Sequence, residues 1–276
     1  TLVELSACIV VYNGAEEALR AAQTVLDRTR RYPLTLYLVD NASPDGSGQR
    51  LTRAAADGIL RTAPGQQVQV LCRTKNGGFG TGHNTVLSLL HSRVHFILNP
   101  DIQLTADTLS DLADWMVQHP GVVMARPALT FPDGQPQRLP LRRCNVRAMV
   151  YRQLPCLKFW AKYNERYLMA DRDLTQPTEI EFCTGSFSAV DTAVFKEISG
   201  FDEGYFMYVE DADLTQKMRT KGKAYLVPQY TAIHAWHRAA HRSLKPFLWQ
   251  LRSLLRSGNF AGRAVLSCFL CELIVK

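Results

Sequence analysis

Five carboxylic acids crowd one short stretch of the chain: Asp202, Glu203, Glu210, Asp211 and Asp213. They sit among Phe201, Tyr205, Phe206 and Tyr208, with Phe195 close by in sequence. Leu214 and Met218 are four apart, which predicts a helix starting near Asp211 and burying that face. A carboxylate in a first helical turn is held in its charged form by the unpaired N–H groups there. That suits a general base, which must be ionised to take a proton from a hydroxyl. Helix capping alone accounts for one acid. It does not account for Glu210, Asp211 and Asp213 together beside an apolar run.

Four other clusters could do related chemistry. Asn99-Pro100-Asp101 closes an apolar run. A hard cation, Mg2+ or Mn2+, takes a carboxylate oxygen there together with phosphate oxygens from a ligand. His234-Ala-Trp-His237-Arg238 offers an imidazole that can complete such a site and a guanidinium for a diphosphate. Placed on the surface, the same residues would do neither. Asp40-Asn41-Ala42-Ser43-Pro44-Asp45-Gly46-Ser47 puts a carboxylate where it can accept the ring N–H of uracil or thymine. An ordinary turn uses the same residue types. Asn76-Gly77-Gly78-Phe79-Gly80-Thr81-Gly82-His83-Asn84 is a glycine-rich entry to a helix, able to bring backbone and a helix N-terminus close to an anion. It matches neither the dinucleotide fingerprint nor the phosphate loop ending in Gly-Lys-Ser/Thr.

The elements that must position these residues alternate. Strands are expected at Ala7–Tyr12, Leu34–Val39, Val68–Leu71, Val94–Leu98 and Val122–Arg126. Helices are expected over 15–28, Gly80–Leu90 and Thr105–His119, the last with Thr105 as N-cap. This rhythm implies an α/β fold with a doubly wound, mostly parallel sheet. Such sheets bind ligands at the carboxyl ends of their strands. Asn13, Asp40, Asn41, Asn76, Gly77, Gly78, Asn99 and Asp101 all follow strands and are therefore expected on one edge. Residues 138–178 break the rhythm and read as a partly helical insertion over the site. Strand character resumes over Glu181–Val190, and Asp191–Ile198 reads as a short helix. Residues 244–276 read as an amphipathic helical tail behind a domain of 1–243.

Bulk properties narrow the class. The chain has 276 residues, 46% hydrophobic and 21% charged, with a formal net charge of +7. That is enough for one large domain with its own core. The seven cysteines are odd in number and scattered along the chain, which points to reduced thiols and a cytoplasmic setting. Arg and Lys cluster over 138–166 and 238–263, interleaved with aromatics, a pattern suited to anionic phosphates or a membrane surface. A basic balance that merely keeps the protein soluble is the plain alternative. No nucleic-acid motif and no apolar run of spanning length is present, so a membrane role is expected to be peripheral, on the inner face.

Taken in order, VVYN (10–13), VDNASPDGS (39–47), NGGFGTGHN (76–84), LNPDI (98–102), TGSFSAV (184–190), GFDEGYFMYVEDADL (200–214) and HAWHRAAHRS (234–243) resemble the family-2 glycosyltransferases of GT-A fold. The likeness is greatest to bacterial rhamnosyltransferases of O-antigen and cell-wall assembly. The resemblance implies an inverting transfer of a sugar from a dTDP- or UDP-sugar to a hydroxyl of a glycan acceptor linked to polyprenyl diphosphate. By resemblance, Asp40 holds the pyrimidine, with Tyr12, Asn13 and Asn41 nearby. Asn76, Gly77, Gly80, Asn84, Asn99 and Arg238 complete the nucleotide-sugar contacts. Asp101 and His234 bind the metal, Mg2+ or Mn2+. Asp211 is the catalytic base, with Glu210 as second candidate; Gly185, Ser186 and Asp213 line the sugar and acceptor pocket. Two positions depart from the family pattern. The usual aspartate pair is Asn99-Pro100-Asp101 here, and Asp191-Thr192 stands where relatives are often basic. A catalytically silent sugar-nucleotide-binding protein is one rival reading. A sugar-nucleotide nucleotidyltransferase is another, disfavoured because Tyr12-Asn13-Gly14-Ala15-Glu16 lacks the lysine-bearing loop it needs. An oligomer is compatible with the sequence.

Overall fold

The computed structural model describes residues 3–143, 147–148, 151, 156, 158–206 and 209–235. Its framework is one mixed sheet. Strands β1 (Leu5–Val11), β2 (Leu34–Asp40), β3 (Gln66–Cys72) and β4 (Val94–Leu98) run parallel in the order β3-β2-β1-β4. Every residue of β1 and β4 is buried, as continuous apolar runs such as LSACIVV require when helices cover both faces. By contrast, β3 alternates half-buried and exposed, as an edge strand should.

The order continues through β8 (Phe187–Asp191), β6 (Val122–Thr130) and β9 (Lys223–His234) to β5 (Ile102–Gln103), with β7 (Thr178–Ile180) also on β9. Strand β8 lies antiparallel between β4 and β6, pairing Leu98 with Phe187. The expected strand over Glu181–Val190 is thus shorter. Residues 181–186 form a loop, and this loop enters the sheet at the carboxyl end of β4. One reversed strand is how residues distant in sequence reach the same edge.

Two cores follow from the period-2 alternation of side chains. On one face Ile9, Val11, Leu98 and Phe96 meet α1 (Ala15–Arg28) and α4 (Thr108–Gln118). Helix α1 buries Ala18, Ala21, Ala22, Val25 and Leu26 at helical spacing, and its small residues let it lie close to the sheet. The N-cap of α4 is Asp107, whose side chain accepts from Ser110 N–H, and not Thr105. A carboxylate two residues further along wins because only there does the first turn leave an N–H within reach. On the other face Cys8, Val10, Val39 and Ile97 meet α6 (Thr192–Glu197) and α7 (Glu210–Arg219), through Phe195, Leu214 and Met218. Two further helices lie between: α2 (Ser47–Ala56) and α3 (Phe79–Asn84), with a 3-10 turn at Leu87–Leu89 where one continuous helix was expected. Helix α5 (Ala161–Tyr167) belongs to the 138–178 stretch. Among the described residues no helix is long and apolar enough to cross a membrane. Cys8, Cys72, Cys156 and Cys183 are free thiols. Arg238 and the tail 244–276 lie outside the described residues.

Candidate active site

The first loop is built by left-handed backbone at Asn13 (φ 63°) and Gly14 (φ 80°), where β1 must turn at once into α1. Asparagine and glycine tolerate that conformation better than other residues. The Asp40–Ser47 loop clamps it: Asn13 N–H donates to Ser43 Oγ at 2.9 Å and Gly14 N–H to Asp45 Oδ2 at 3.2 Å. Tyr12 stands beside them, 52% exposed. The Asp40 carboxylate is buried and accepts Ser43 N–H at 3.4 Å (Oδ1) and 3.2 Å (Oδ2). It lies so close to α2 that a Cβ on Gly48 would come within 2.8 Å of Oδ2. A cavity of about 570 Å3 opens on this carboxylate, lined also by Ser43, Gly48, Thr52, Cys72 and Arg73.

Asn41 ties this loop to the glycine-rich one. Its amide donates to Asn76 Oδ1 at 2.9 Å and to Gly78 O at 3.0 Å, and its own oxygen accepts from Arg73 at 3.3 Å and Gly77 N–H at 3.4 Å. The glycines here admit protein rather than open a path to a ligand. Gly78 sits at φ 89°, and a Cβ on it would fall 1.9 Å from Phe206 O; a Cβ on Gly80 would fall 2.8 Å from Phe201 Cβ. Asn84 brackets the same segment, donating to Phe201 O at 2.9 Å and Glu203 at 3.1 Å and accepting Phe201 N–H at 2.9 Å. The loop thus holds the acidic segment against the sheet edge. Gly78→Ala is expected to cost at least about 1–3 kcal/mol, from the positive φ alone. The clash with Phe206 adds to this, and the denaturant midpoint should fall with little change in m.

At the end of β4, Asn99 N–H donates to Ser186 O at 2.9 Å, joining that strand to the 181–186 loop. Asp101 and His234 are both buried, with His234 Nε2 3.4 Å from Asp101 Oδ1. Gln137 orients the pair. Its amide N–H donates to His234 O at 2.7 Å, which turns its oxygen toward His234 Nδ1 at 2.9 Å. Nδ1 therefore carries a proton, which leaves Nε2 as the nitrogen that faces the carboxylate. A divalent cation would satisfy both, and an imidazole committed through its other nitrogen is how metal-bound histidines are normally held. One carboxylate and one imidazole suit Mn2+ or Mg2+ with phosphate oxygens completing the shell. No cluster of three or more side-chain ligands occurs among the described residues.

Helix α7 brings in the paired acids. It opens on Val209 at φ 74°, a conformation strained for a β-branched residue and concentrated at functional sites. Asp211 Oδ2 accepts Gly185 N–H at 3.1 Å and Oδ1 accepts Ala212 N–H at 2.9 Å. A Cβ on Gly185 would meet the Phe79 ring at 3.0 Å, so the loop approaches this closely only with glycine there. Thr215 locks the helix to the loop, accepting Cys183 N–H at 3.2 Å and donating to Asp211 O at 2.7 Å. Asp101, Asn99, Ser186, Gly185 and Asp211 thus form one continuous strip along the rim. Asp213 lies on the same helical turn, its N–H bonded to Val209 O.

The two neighbouring acids are not equivalent. Burial, and then the adjacent Asp211 charge, push the Glu210 carboxyl up to about 8, and its Oε2 lacks a hydrogen-bond partner among the described residues. Burial also raises Asp211, but the N–H groups of Gly185 and Ala212 oppose it. If the pair holds one proton, these N–H bonds place it on Glu210 and leave Asp211 ionised. A carboxyl raised in the folded state keeps a proton that the unfolded chain releases. Glu210 therefore costs stability increasingly as pH rises from its ordinary 4.5 toward about 8. Glu210→Gln should gain melting temperature over the parent through that window, with the difference levelling off above it. A difference independent of pH would exclude the shift.

Gln137, Ser43, Gly48 and Val209 were not singled out as site residues from the sequence. Ser43 and Val209 lie within the motifs at 39–47 and 200–214 and Gly48 just beyond the first, whereas nothing near Gln137 distinguishes it from other surface-type glutamines.

A mixed α/β sheet with acids, an imidazole and tight loops gathered at one edge defines a GT-A-type fold. The chain belongs to Glycosyl transferase family 2, whose family model matches residues 6–199. It is 27% identical over 232 residues to rhamnosyltransferase WbbL of Escherichia coli K12, covering 79% of this chain and 85% of that one. It is 26% identical over 238 residues to the N-acetylglucosaminyl-diphospho-decaprenol L-rhamnosyltransferase of Mycobacterium tuberculosis CDC 1551, covering 76% and 72%. Among solved structures it resembles the mannosyltransferase PcManGT of Pyrobaculum calidifontis in complex with GDP-Man and Mn2+. The TM-score is 0.60 at 17% identity, over 92% of this chain and 61% of that one.

Proposed function

We propose that this protein transfers rhamnose, with inversion, from a dTDP- or UDP-linked donor to a hydroxyl of a saccharide carried on polyprenyl diphosphate. The observation that carries the reading is the rim strip itself. Gly185 N–H holds the Asp211 carboxylate, and Ser186 in the same loop is bonded to Asn99, two residues before Asp101. A base and a diphosphate-binding carboxylate are thereby held on one edge. Similarity to two rhamnosyltransferases supports the choice of sugar, and the decaprenyl-diphosphate acceptor in the name of one supports a lipid-linked acceptor.

In this reading Asp40 accepts the pyrimidine ring N–H at the head of its cavity, and Ser43 and Asn41 fix the loop around it. Asp101 and His234 would hold Mn2+ or Mg2+; when bound, the ion neutralises charge on the departing nucleoside diphosphate. Asp211 takes the acceptor hydroxyl proton while that oxygen attacks the anomeric carbon, so displacement from the opposite side inverts the centre. Protonated Glu210 keeps a second negative charge away from the base. The Phe79 and Phe201 rings, packed edge to face at 5.8 Å beneath Gly185, stiffen the loop that aims Asp211.

Gln137→Ala should weaken Mn2+ binding about 10–100-fold by freeing the His234 ring, which calorimetry with UDP present can read. The function itself is tested by incubating the purified chain with dTDP-rhamnose, UDP-hexoses and a synthetic polyprenyl-diphosphate saccharide. Product formed only with a hexose donor would exclude rhamnosyl transfer, and no product with any donor would exclude the enzyme reading.

A further inference from the structure

The Lys158–Trp160 3-10 turn and α5 lie outside the rim just described. Lys158, Lys162 and Arg166 recur at four-residue spacing, so they share one side of this segment, and all three are exposed. Phe159 is 66% exposed, the most exposed large apolar side chain among the described residues, and its ring packs on Trp160 at 5.2 Å. Tyr163, four residues later, carries Lys162 at 5.3 Å and Arg147 at 4.8 Å over its ring. Among the described residues no ion pair engages Lys158, Lys162 or Arg166. The two nearby acids are Glu165 and Asp171, and Asp171 is taken by a two-pronged bond from Arg142 at 2.9 and 2.8 Å. A cavity of about 730 Å3, lined by Arg142, Lys162, Glu165, Arg166, Ala170 and Asp171, opens beside them.

An excess of cations over Glu165, the single free acid beside them among the described residues, around an exposed phenylalanine, matches a phospholipid interface. The ring enters the acyl boundary while the cations stay among headgroup phosphates. The segment is also tied to the rim. Tyr167 O accepts Leu141 N–H at 3.1 Å, Leu141 O accepts Glu181 and Phe182 N–H at 2.8 and 3.0 Å, and that loop runs on to Gly185.

We propose that the Lys158–Arg166 segment docks on an anionic phospholipid bilayer and so presents the rim beside Asp211 to a lipid-anchored acceptor. The presentation rests on the glycosyl-transfer reading; the docking does not. The test is co-sedimentation of the full chain with phosphatidylcholine vesicles, with and without phosphatidylglycerol, at low and high salt. Binding is expected only with phosphatidylglycerol and should weaken with salt. Lys158→Glu/Lys162→Glu/Arg166→Glu should reduce partitioning on the order of 100-fold or more. Phe159→Ser should reduce it roughly 10-fold. Both variants should keep the parent's thermal shift with UDP, which shows that they fold. Equal partitioning of parent and triple variant, equal binding to neutral vesicles, or no binding at all overturns the proposal. So does a thermal shift from inorganic phosphate that the triple variant loses while vesicles are ignored, since that marks a phosphate site. Failure of the glycosyl-transfer reading would appear separately, as absence of the UDP shift in the parent.

Discussion

Asp211→Asn should lower transfer about 10²–10⁴-fold while leaving donor binding within a few-fold of the parent. The substitution keeps an oxygen for the Gly185 N–H bond that ties the loop to the helix and gives up only the local bond from Ala212 N–H, so the loop should stay docked on the helix start. It removes the ability to take a proton. The neighbouring acid gives the variant a second signature. Glu210 is raised partly by the Asp211 charge, so in the variant it should become more acidic. Residual turnover should then follow a different pH profile from the parent's. Single-turnover assays with saturating donor, alongside nucleotide binding by calorimetry, separate lost chemistry from lost binding. Turnover within about tenfold of the parent, below the usual contribution of a general base, would remove Asp211 from that role.

The reason this geometry could be anticipated in part, and only in part, lies in where each signal resides. The strands at Leu34 and Val94 were legible within a residue or two because their apolar runs have no helical alternative of sufficient length. The edge placement of Asp40, Asn41, Asn99 and Asp101 followed from strand ends in a doubly wound sheet. The antiparallel entry of β8 was not legible, since a buried strand reads the same in either direction. That reversal is what sets Ser186 against Asn99 and Gly185 against Asp211. The glycine-rich loop was misleading in a related way. Its composition announces a close backbone approach, but the approaching group at Gly78 is Phe206 of the acidic segment and not a phosphate. Asn84, expected among the nucleotide-sugar contacts, spends its amide on Phe201 and Glu203 for the same reason. The partner of His234 was hidden because Gln137 is 97 residues away and bonds through nothing a local pattern could reveal.

Base recognition gives the second large effect. In the proposed reading the Asp40 carboxylate accepts the N3–H of uracil or thymine while Ser43 N–H satisfies its other lone pairs. Cytosine has a lone pair at N3 and would meet the carboxylate acceptor to acceptor. The parent should therefore bind UDP well above CDP, because a site built to hydrogen-bond one group rejects the analogue lacking it. Asp40→Asn leaves one acceptor oxygen for two donors and turns an NH2 toward the base. A hydrogen bond to a charged group contributes about 1.5–3 kcal/mol, so UDP affinity should fall roughly 10–150-fold. CDP should lose far less, because the new NH2 can donate to its N3. Gly48 leaves no slack for the side chain to retreat, since its missing Cβ is the space Oδ2 occupies. The UDP-to-CDP affinity ratio, measured by calorimetry for parent and variant, should collapse toward one. An unchanged ratio would mean that the base is read elsewhere, and the cavity at Asp40 would lose its assignment.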